Sequence, residues 1–121
     1  DASTGGIVAP FSDYGKKMVD VFAPGVDIHC AIAGDGTQVA SGTSLASPIV
    51  AGIAALLRSY FPKLKAPEIV KIIKKSGITL KEKVIKPGTD KELVDLSELC
   101  NTGKIVNAAA AVKMAMEFKN D

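Results

Sequence analysis

Hydrophobic residues gather first in short extended segments and then in longer helical ones along this chain. Residues 18–23 are apolar and β-branched and stop at Pro24-Gly25, whereas residues 26–32 alternate in polarity. Both patterns are typical of strands bounded by turn residues. Residues 38–40 are a short extended approach to the glycine turn that follows them. Strands are therefore predicted within about 18–40.

Three helices are predicted in the rest of the chain, at about 44–60, 66–76 and 108–118. The first has apolar residues on every side, so we expect it to be buried. Pro67 near the start of the second helix and Asn107 just before the third match the preferences of helix N-termini. Between these two helices, short strands are predicted at 82–85 and 92–96.

The composition is that of a small globular domain. The chain has 121 residues, of which 47% are hydrophobic and 23% charged, and its formal net charge is +2. Such a small net charge gives no reason to expect nucleic acid as a partner. The apolar run at 45–61 is short for a membrane span and is interrupted by Pro48, Gly52 and Arg58. A buried helix therefore fits this run better than a membrane helix.

The N-terminal region indicates a chain taken from something longer. It begins at Asp1, without Met and without a signal-peptide pattern, so we expect it to be processed or excised from a longer protein. Residues 1–17 are rich in Gly, Ser, Asp and Pro and are predicted as loop. A short strand is the alternative for the apolar run at 6–9.

The two cysteines leave three alternatives open. Cys30 and Cys100 are too few for a disulfide scaffold, and their spacing does not suggest a metal site. They can form one disulfide, be two buried thiols, or be neither. We favour buried thiols, because a free cysteine behaves as a small apolar residue.

A tight turn at Gly42 delivers Thr43 and Ser44 to the start of the first helix. Unpaired N–H groups and the positive end of the helix dipole lie there, and they would stabilise an oxyanion formed next to the serine. The alternative is that Ser44 is only an N-cap. Gly42 and the small Ala46 leave the hydroxyl accessible, which favours a nucleophile. The G-x-S-x-G elbow of α/β-hydrolases is a weaker match, because Ala46 stands at its second glycine.

Residues 42–48, Gly-Thr-Ser-Leu-Ala-Ser-Pro, resemble the G-T-S-x-A-x-P serine signature of the subtilisin-like serine proteases, peptidase family S8. Upstream, residues 20–28 resemble the strand and A-P-G turn that precede the serine in that family. Residues 103–108 resemble the family's closing segment, in which a strand leads into the last helix. The resemblance covers residues 7–77 well and 100–116 moderately.

The resemblance implies an α/β fold, in which this chain is the C-terminal portion of a three-layer domain. Its strands would be mostly parallel, with a central buried helix after the catalytic serine, and residues 1–121 would be a single partial domain. The resemblance also implies that Ser44 is the nucleophile of a serine endopeptidase that acts through an acyl-enzyme. Gly42 and Thr43 would support the oxyanion. Leu45 would line the leaving-group side, where the family often has Met.

The sequence lacks the other catalytic groups that the resemblance implies. The triad histidine and aspartate lie in H-G-T and D-T/S-G motifs, and neither motif occurs here; the family's oxyanion asparagine is also missing. His29, the sole histidine, matches no catalytic motif and is predicted to be a partly buried strand residue. Four aspartates match no motif either: Asp13, Asp20, Asp27 and Asp35. We therefore expect the chain alone to be inactive, because a serine without its base is a weak nucleophile.

The resemblance implies a polypeptide substrate, an exported protein and no cofactor, and it leaves bound calcium in a longer parent protein open. Activity would need the upstream part of the same domain. The alternative is a non-catalytic, self-associating structural fragment. With the upstream part missing, a strand edge and one side of the first helix would be bare, which favours a homo-oligomer or a swapped dimer.

Overall fold

The computed structural model describes residues 7–118. Its three helices are α1, Thr43–Tyr60; α2, Ala66–Ser76; and α3, Ala108–Phe118. These bounds agree with the predicted ones to within one residue, because the signals at the helix starts are local. At the start of α2, the Glu68 carboxylate accepts a hydrogen bond from the Lys65 N–H at 2.6 Å. At the start of α3, the Ala110 N–H donates to the Asn107 side-chain oxygen at 3.0 Å.

The three helices share one apolar core. Leu57 of α1, Ile72 of α2 and Ala115 of α3 are fully buried in it. The sequence predicts that α1 is covered on every side, but among the described residues α2 and α3 cover only part of its circumference. Gly52 and Ala55 are exposed, and a Cβ added at Gly52 would meet no atom within 4 Å. Two packed helices cannot enclose a third one, so the remaining apolar residues of α1 face outward.

Within residues 7–118, six short strands pair two by two into antiparallel ladders. The pairs are β1 (Ile28–Ile32) with β2 (Gly36–Ala40), β3 (Ile78–Thr79) with β6 (Lys104–Ile105), and β4 (Val84–Ile85) with β5 (Leu93–Val94). In the first ladder Ile28 lies opposite Ala40, and Ile32 lies opposite Gly36. The short loop at 33–35 can join neighbouring strands only in the antiparallel sense. The strands predicted at 26–32, 82–85 and 92–96 are confirmed, each in a shorter form.

The segment predicted as a strand at 18–23 makes a single parallel bridge instead, between Phe22 and Ile105. The Phe22 N–H donates to the Lys104 carbonyl at 3.0 Å, and the Val106 N–H donates to the Phe22 carbonyl at 2.9 Å. Parallel pairs need a long crossover, and here the crossover carries α1 and α2. The fold is thus α/β, but its described ladders are antiparallel, whereas the resemblance implies mostly parallel strands. Parallel pairing here reaches only one residue because the partner strand β6 is two residues long.

A second, smaller apolar cluster lies beside the parallel bridge. Its buried members are Val8, Val84, Leu96, Leu99 and Cys100, and Phe22 and Ile105 pack against them. Both cysteines are free thiols, which excludes the disulfide alternative in this structure. Cys100 is buried as expected, whereas Cys30 is only half-buried, and its thiol donates to the Gln38 carbonyl at 3.2 Å.

Candidate active site

The start of α1 depends on the backbone freedom of a glycine. Gly42 has φ 156° and ψ 160°, a conformation that other residue types rarely adopt. A Cβ at this position would also lie 3.4 Å from the Ser44 hydroxyl oxygen. Thr43 and Ser44 are then the first two residues of the helix, and both are exposed. The helix therefore presents two hydroxyl-bearing residues at its N-terminal end.

The Ser44 hydroxyl does not cap the helix. The N-cap residue is Gly42, and no side chain of the described residues caps α1 by a hydrogen bond. Within residues 7–118, the Ser44 hydroxyl makes no hydrogen bond. The N-cap interpretation of Ser44 is therefore wrong, and its hydroxyl is available to a partner from outside the described part of the chain.

The backbone of the first helical turn also offers unpaired groups. The Leu45 N–H donates to the Gly42 carbonyl at 3.0 Å, while the N–H groups of Thr43 and Ser44 have no backbone acceptor among the described residues. Pro48 lies inside the helix and lacks the N–H that would otherwise donate to the Ser44 carbonyl. Two N–H donors and the positive end of the helix dipole thus lie beside the Ser44 side chain.

The turn at Pro24-Gly25 lies directly against this helix start. The Gly42 N–H donates to the Gly25 carbonyl at 2.7 Å. A Cβ added at Gly25 would lie 2.9 Å from the Gly42 carbonyl oxygen and 3.3 Å from the Ala46 Cβ. Because a backbone carbonyl cannot move aside as a flexible side chain can, only glycine fits this close approach.

A second contact joins the same two segments through a side chain. The Asp27 N–H donates to the Ser41 hydroxyl oxygen at 2.9 Å, across 14 residues of sequence. Asp27 has φ 54°, in the left-handed region. The sequence pattern does not single out Ser41 for this role. The sequence does indicate their positions, because Asp27 and Ser41 each stand one residue outside the β1–β2 ladder.

An apolar cavity of about 290 Å³ opens beside the helix start. Thr43 and Ala46 of α1 line it, together with the Pro24-Gly25 turn. Phe22 and Leu96 extend this lining from the smaller apolar cluster. Ser44 and Leu45 do not line the cavity, so of the two hydroxyl residues only Thr43 borders this apolar space.

The candidate acid and base residues do not meet Ser44. His29 lies opposite Val39 in the β1–β2 ladder and is exposed, not partly buried as predicted, because no described residue covers this face of the hairpin. Asp20 forms an ion pair with Lys74 at 3.2 Å. The other three aspartates are exposed: Asp13, Asp27 and Asp35. None of these side chains hydrogen-bonds to Ser44 in the part of the chain that the structure describes.

The described part of the chain contains neither a cluster of metal ligands nor a membrane-spanning helix. Residues 7–118 bring no three His, Cys, Asp or Glu side chains together in a way that could hold a metal ion. None of the helices in that range has the length and apolar character needed to cross a membrane.

Comparison with known proteins points to one family. The family model described as the subtilase family matches residues 2–102. Subtilisin-like protease 7 of Arthroderma gypseum is 41% identical over 99 residues, which cover 82% of this chain and 21% of that protein. The cell wall-associated protease of Bacillus subtilis is 37% identical over 89 residues, which cover 74% of this chain and 10% of that protein. The chain thus spans about a fifth or less of the length of these two relatives.

A solved structure shares the architecture. A chain from the structure of the subtilase cytotoxin SubAB assembly matches with a TM-score of 0.67 and 27% sequence identity. The match covers 83% of this chain and 27% of that chain. The α/β class predicted from the sequence is therefore confirmed, and the arrangement of helices and short sheets corresponds to part of a larger known fold.

Proposed function

This chain belongs to the subtilase family, and from that premise we propose that Ser44 is the nucleophile of a serine endopeptidase. In the proposed reaction, the Ser44 oxygen attacks the carbonyl carbon of a peptide bond. The amine then leaves with a proton, and water hydrolyses the acyl ester. The observation that carries the proposal is the exposed Ser44 at the start of α1, which makes no hydrogen bond within residues 7–118. A hydroxyl engaged as a helix cap would not be free to attack.

The first turn of α1 would supply part of the oxyanion hole. The Ser44 N–H has no backbone acceptor among the described residues, so it can donate to the developing oxyanion. The Thr43 hydroxyl stands next to it in sequence and would assist, and Gly42 sets the direction of this backbone. Leu45, which is half-buried, would line the side from which the leaving group departs.

We propose further that this chain alone is inactive. Nucleophilic attack by serine needs a base that takes its proton, and a histidine in that role needs an orienting carboxylate. His29 is exposed on the β1–β2 hairpin and makes no hydrogen bond to Ser44. The base, its carboxylate and the oxyanion asparagine would therefore come from the upstream part of the same domain in a longer protein.

A fluorophosphonate probe tests both statements, because it reacts only with an activated serine. In the chain alone, we expect labelling no faster than in the Ser44→Ala variant, and faster labelling would contradict inactivity. In the longer protein, Ser44→Ala should abolish labelling and lower kcat by about 10⁴-fold or more. Ser47→Ala, at another exposed serine of α1, is the matched control and should leave the labelling and the kcat of the longer protein unchanged. Peptide hydrolysis that survives Ser44→Ala would refute the assignment.

The remaining proposals rest on the family alone. The substrate of the longer protein is a polypeptide, and the reaction needs no cofactor; bound calcium in other parts of that protein stays open. We propose an exported protein, which the name of the cell wall-associated relative supports. Nucleic acid is not proposed as a partner, given the net charge of +2, and neither is a membrane, given the short and interrupted apolar run at 45–61.

The second candidate function is a self-associating, non-catalytic fragment. It is favoured by an apolar groove between α1 and α3, lined by Leu56, Tyr60, Phe61, Val112 and Met116. Three of these side chains are exposed: Leu56, Tyr60 and Met116. In addition, no described strand pairs with the outer edges of the β1–β2 hairpin. Exposed apolar surface and open strand edges both promote association with a second copy.

A further inference from the structure

We propose that Ser41 is a positioning residue for Ser44. Its hydroxyl ties the turn at Gly25–Asp27 to the loop that begins α1, and this contact fixes the backbone from which Ser44 projects. The proposal rests on the assignment of Ser44 as nucleophile, and it adds a residue to which neither the motif nor the comparisons give a role.

The Ser41 hydroxyl is needed because the backbone cannot make the same contact. The β1–β2 ladder ends at the pair Ile28–Ala40. The next residue, Asp27, has φ 54° and so leaves the extended conformation of a strand. Its N–H donates to the Ser41 side chain at 2.9 Å, where a regular ladder would offer a carbonyl oxygen. The side chain therefore extends the pairing of the hairpin by one position, up to the start of the Ser44 loop.

A second hydrogen bond, between Gly42 and Gly25, couples the Ser41 contact to the backbone that carries Ser44. Gly25, two residues before Asp27, accepts a hydrogen bond from the Gly42 N–H at 2.7 Å. The two bonds together clamp the turn against positions 41 and 42. The clamped turn also packs tightly, since a Cβ at Gly25 would lie 2.9 Å from the Gly42 carbonyl oxygen. A turn released by loss of the Ser41 bond would thus allow Gly42 to shift.

A shift of Gly42 would move the Ser44 hydroxyl directly. Its hydroxyl has no hydrogen-bond partner within residues 7–118, so the backbone at 42–44 sets its position. Gly42 holds the unusual φ of 156°, from which many other conformations are accessible to a glycine. Misplacement of a catalytic group by about 1 Å can cost about 100-fold in rate. A single hydroxyl three residues away can therefore change the rate of attack without touching the substrate.

The test uses the longer, active protein that carries this segment. Ser41→Ala should lower kcat about 10-fold, with KM changed less than about twofold, because the loss affects alignment and not substrate binding. The rate of fluorophosphonate labelling of Ser44 should fall by the same factor. Ser41→Thr keeps the hydroxyl and should restore both rates to within about twofold of the wild type. Ser59→Ala, at an exposed serine near the far end of α1, is the matched control and should change neither.

The outcomes separate this proposal from the one it rests on. If Ser44→Ala retains activity, the assignment of the nucleophile fails. If Ser44→Ala is inactive while Ser41→Ala keeps its kcat and labelling rate, only the positioning role fails. A loss of kcat in Ser41→Ala that Ser41→Thr does not restore would also overturn the positioning role. Thermal unfolding of each variant identifies general destabilisation, and an equal rate loss in Ser59→Ala would likewise count against a specific effect of Ser41.

Discussion

Ser76 is a polar residue at a buried position. It is the last residue of α2, and its hydroxyl oxygen is buried without a hydrogen-bond partner among the described residues. A buried hydroxyl that loses its water contacts without a replacement costs about 1–3 kcal/mol. Ser76→Ala should therefore raise the free energy of unfolding by about 1 kcal/mol or more, as measured by urea denaturation.

Ser59→Ala is the control for helix propensity in this experiment, because Ser59 is an exposed serine in the last turn of α1. It should change the free energy of unfolding by less than about 0.5 kcal/mol. Equal effects of the two substitutions would mean that propensity, and not burial, accounts for the gain at Ser76.

Two glycines of this chain should respond to alanine in opposite directions. A Cβ at Gly25 would lie 2.9 Å from a backbone carbonyl oxygen, whereas a Cβ at Gly52 would meet nothing within 4 Å. Gly25→Ala should therefore lower the free energy of unfolding by about 1–3 kcal/mol through overpacking. Gly52→Ala should raise it by about 0.5–1 kcal/mol, because alanine favours the helix. Urea denaturation measures both, and a stabilising Gly25→Ala would disprove the close approach.

The candidate site could be predicted only where its signal is local. Ser44 follows from a seven-residue motif, and its exposed place at a helix start agrees with that motif. Ser41 could not be predicted, because its partner Asp27 lies 14 residues away and uses a backbone N–H, which leaves no trace in residue type. The exposure of His29 also escaped prediction, because alternating polarity in a strand does not reveal whether either face is covered.

At the scale of the elements, α1 offers a matched pair of leucines. Leu57 is 0% exposed in the core shared by the three helices, whereas its neighbour Leu56 is 38% exposed. Leu57→Ala should lower the free energy of unfolding by about 2–5 kcal/mol through lost burial and a cavity. Leu56→Ala changes helix propensity by the same amount, and it should lower the free energy of unfolding by less than about 1 kcal/mol. Urea denaturation of the two variants compares them, and equal losses would contradict this packing of α1.

Helices were easier to predict than strands in this chain. α2 combines an acidic residue in its first turn, an early proline and an apolar stripe, so its bounds of 66–76 follow from its own sequence. The apolar segment 18–23 has the composition of a strand, yet only Phe22 forms a bridge. A strand depends on a partner along its whole length, and β6, the partner here, is two residues long and more than 80 residues away in sequence.

In the whole molecule, α1 runs from the core of the three helices to the cavity beside the smaller apolar cluster. Its later turns pack in the core of the three helices through Ile53 and Leu57, while its first turn borders the cavity that Phe22 and Leu96 of the smaller cluster also line. Ser44 therefore lies at the end of α1 that borders the cavity, while the other end of the helix is packed in the core of the three helices. This arrangement could not be predicted from the sequence, because the cavity joins segments that no local pattern connects.

The apolar groove between α1 and α3 predicts how the isolated chain behaves in solution. Met116 lies in this groove and is 56% exposed. If the groove is where a second copy binds, sedimentation of the chain at micromolar concentration should show dimers or larger species. Met116→Lys should then shift the chain towards monomer, weakening association about 10-fold, because a lysine in an apolar contact must lose its hydration.

Leu93→Lys provides the control, since Leu93 on β5 is exposed to nearly the same extent, 59%, but lies outside the groove. It should leave the association of the wild-type chain unchanged. Equal weakening by both substitutions would indicate a general effect of added charge. Association that persists in Met116→Lys would mean that the contact lies on another surface, such as the open edges of the β1–β2 hairpin.

A monodisperse monomer of the wild-type chain at micromolar concentration would rule out the structural, self-associating fragment altogether. The proposal of Ser44 as the nucleophile would then be the remaining candidate for the role of the chain.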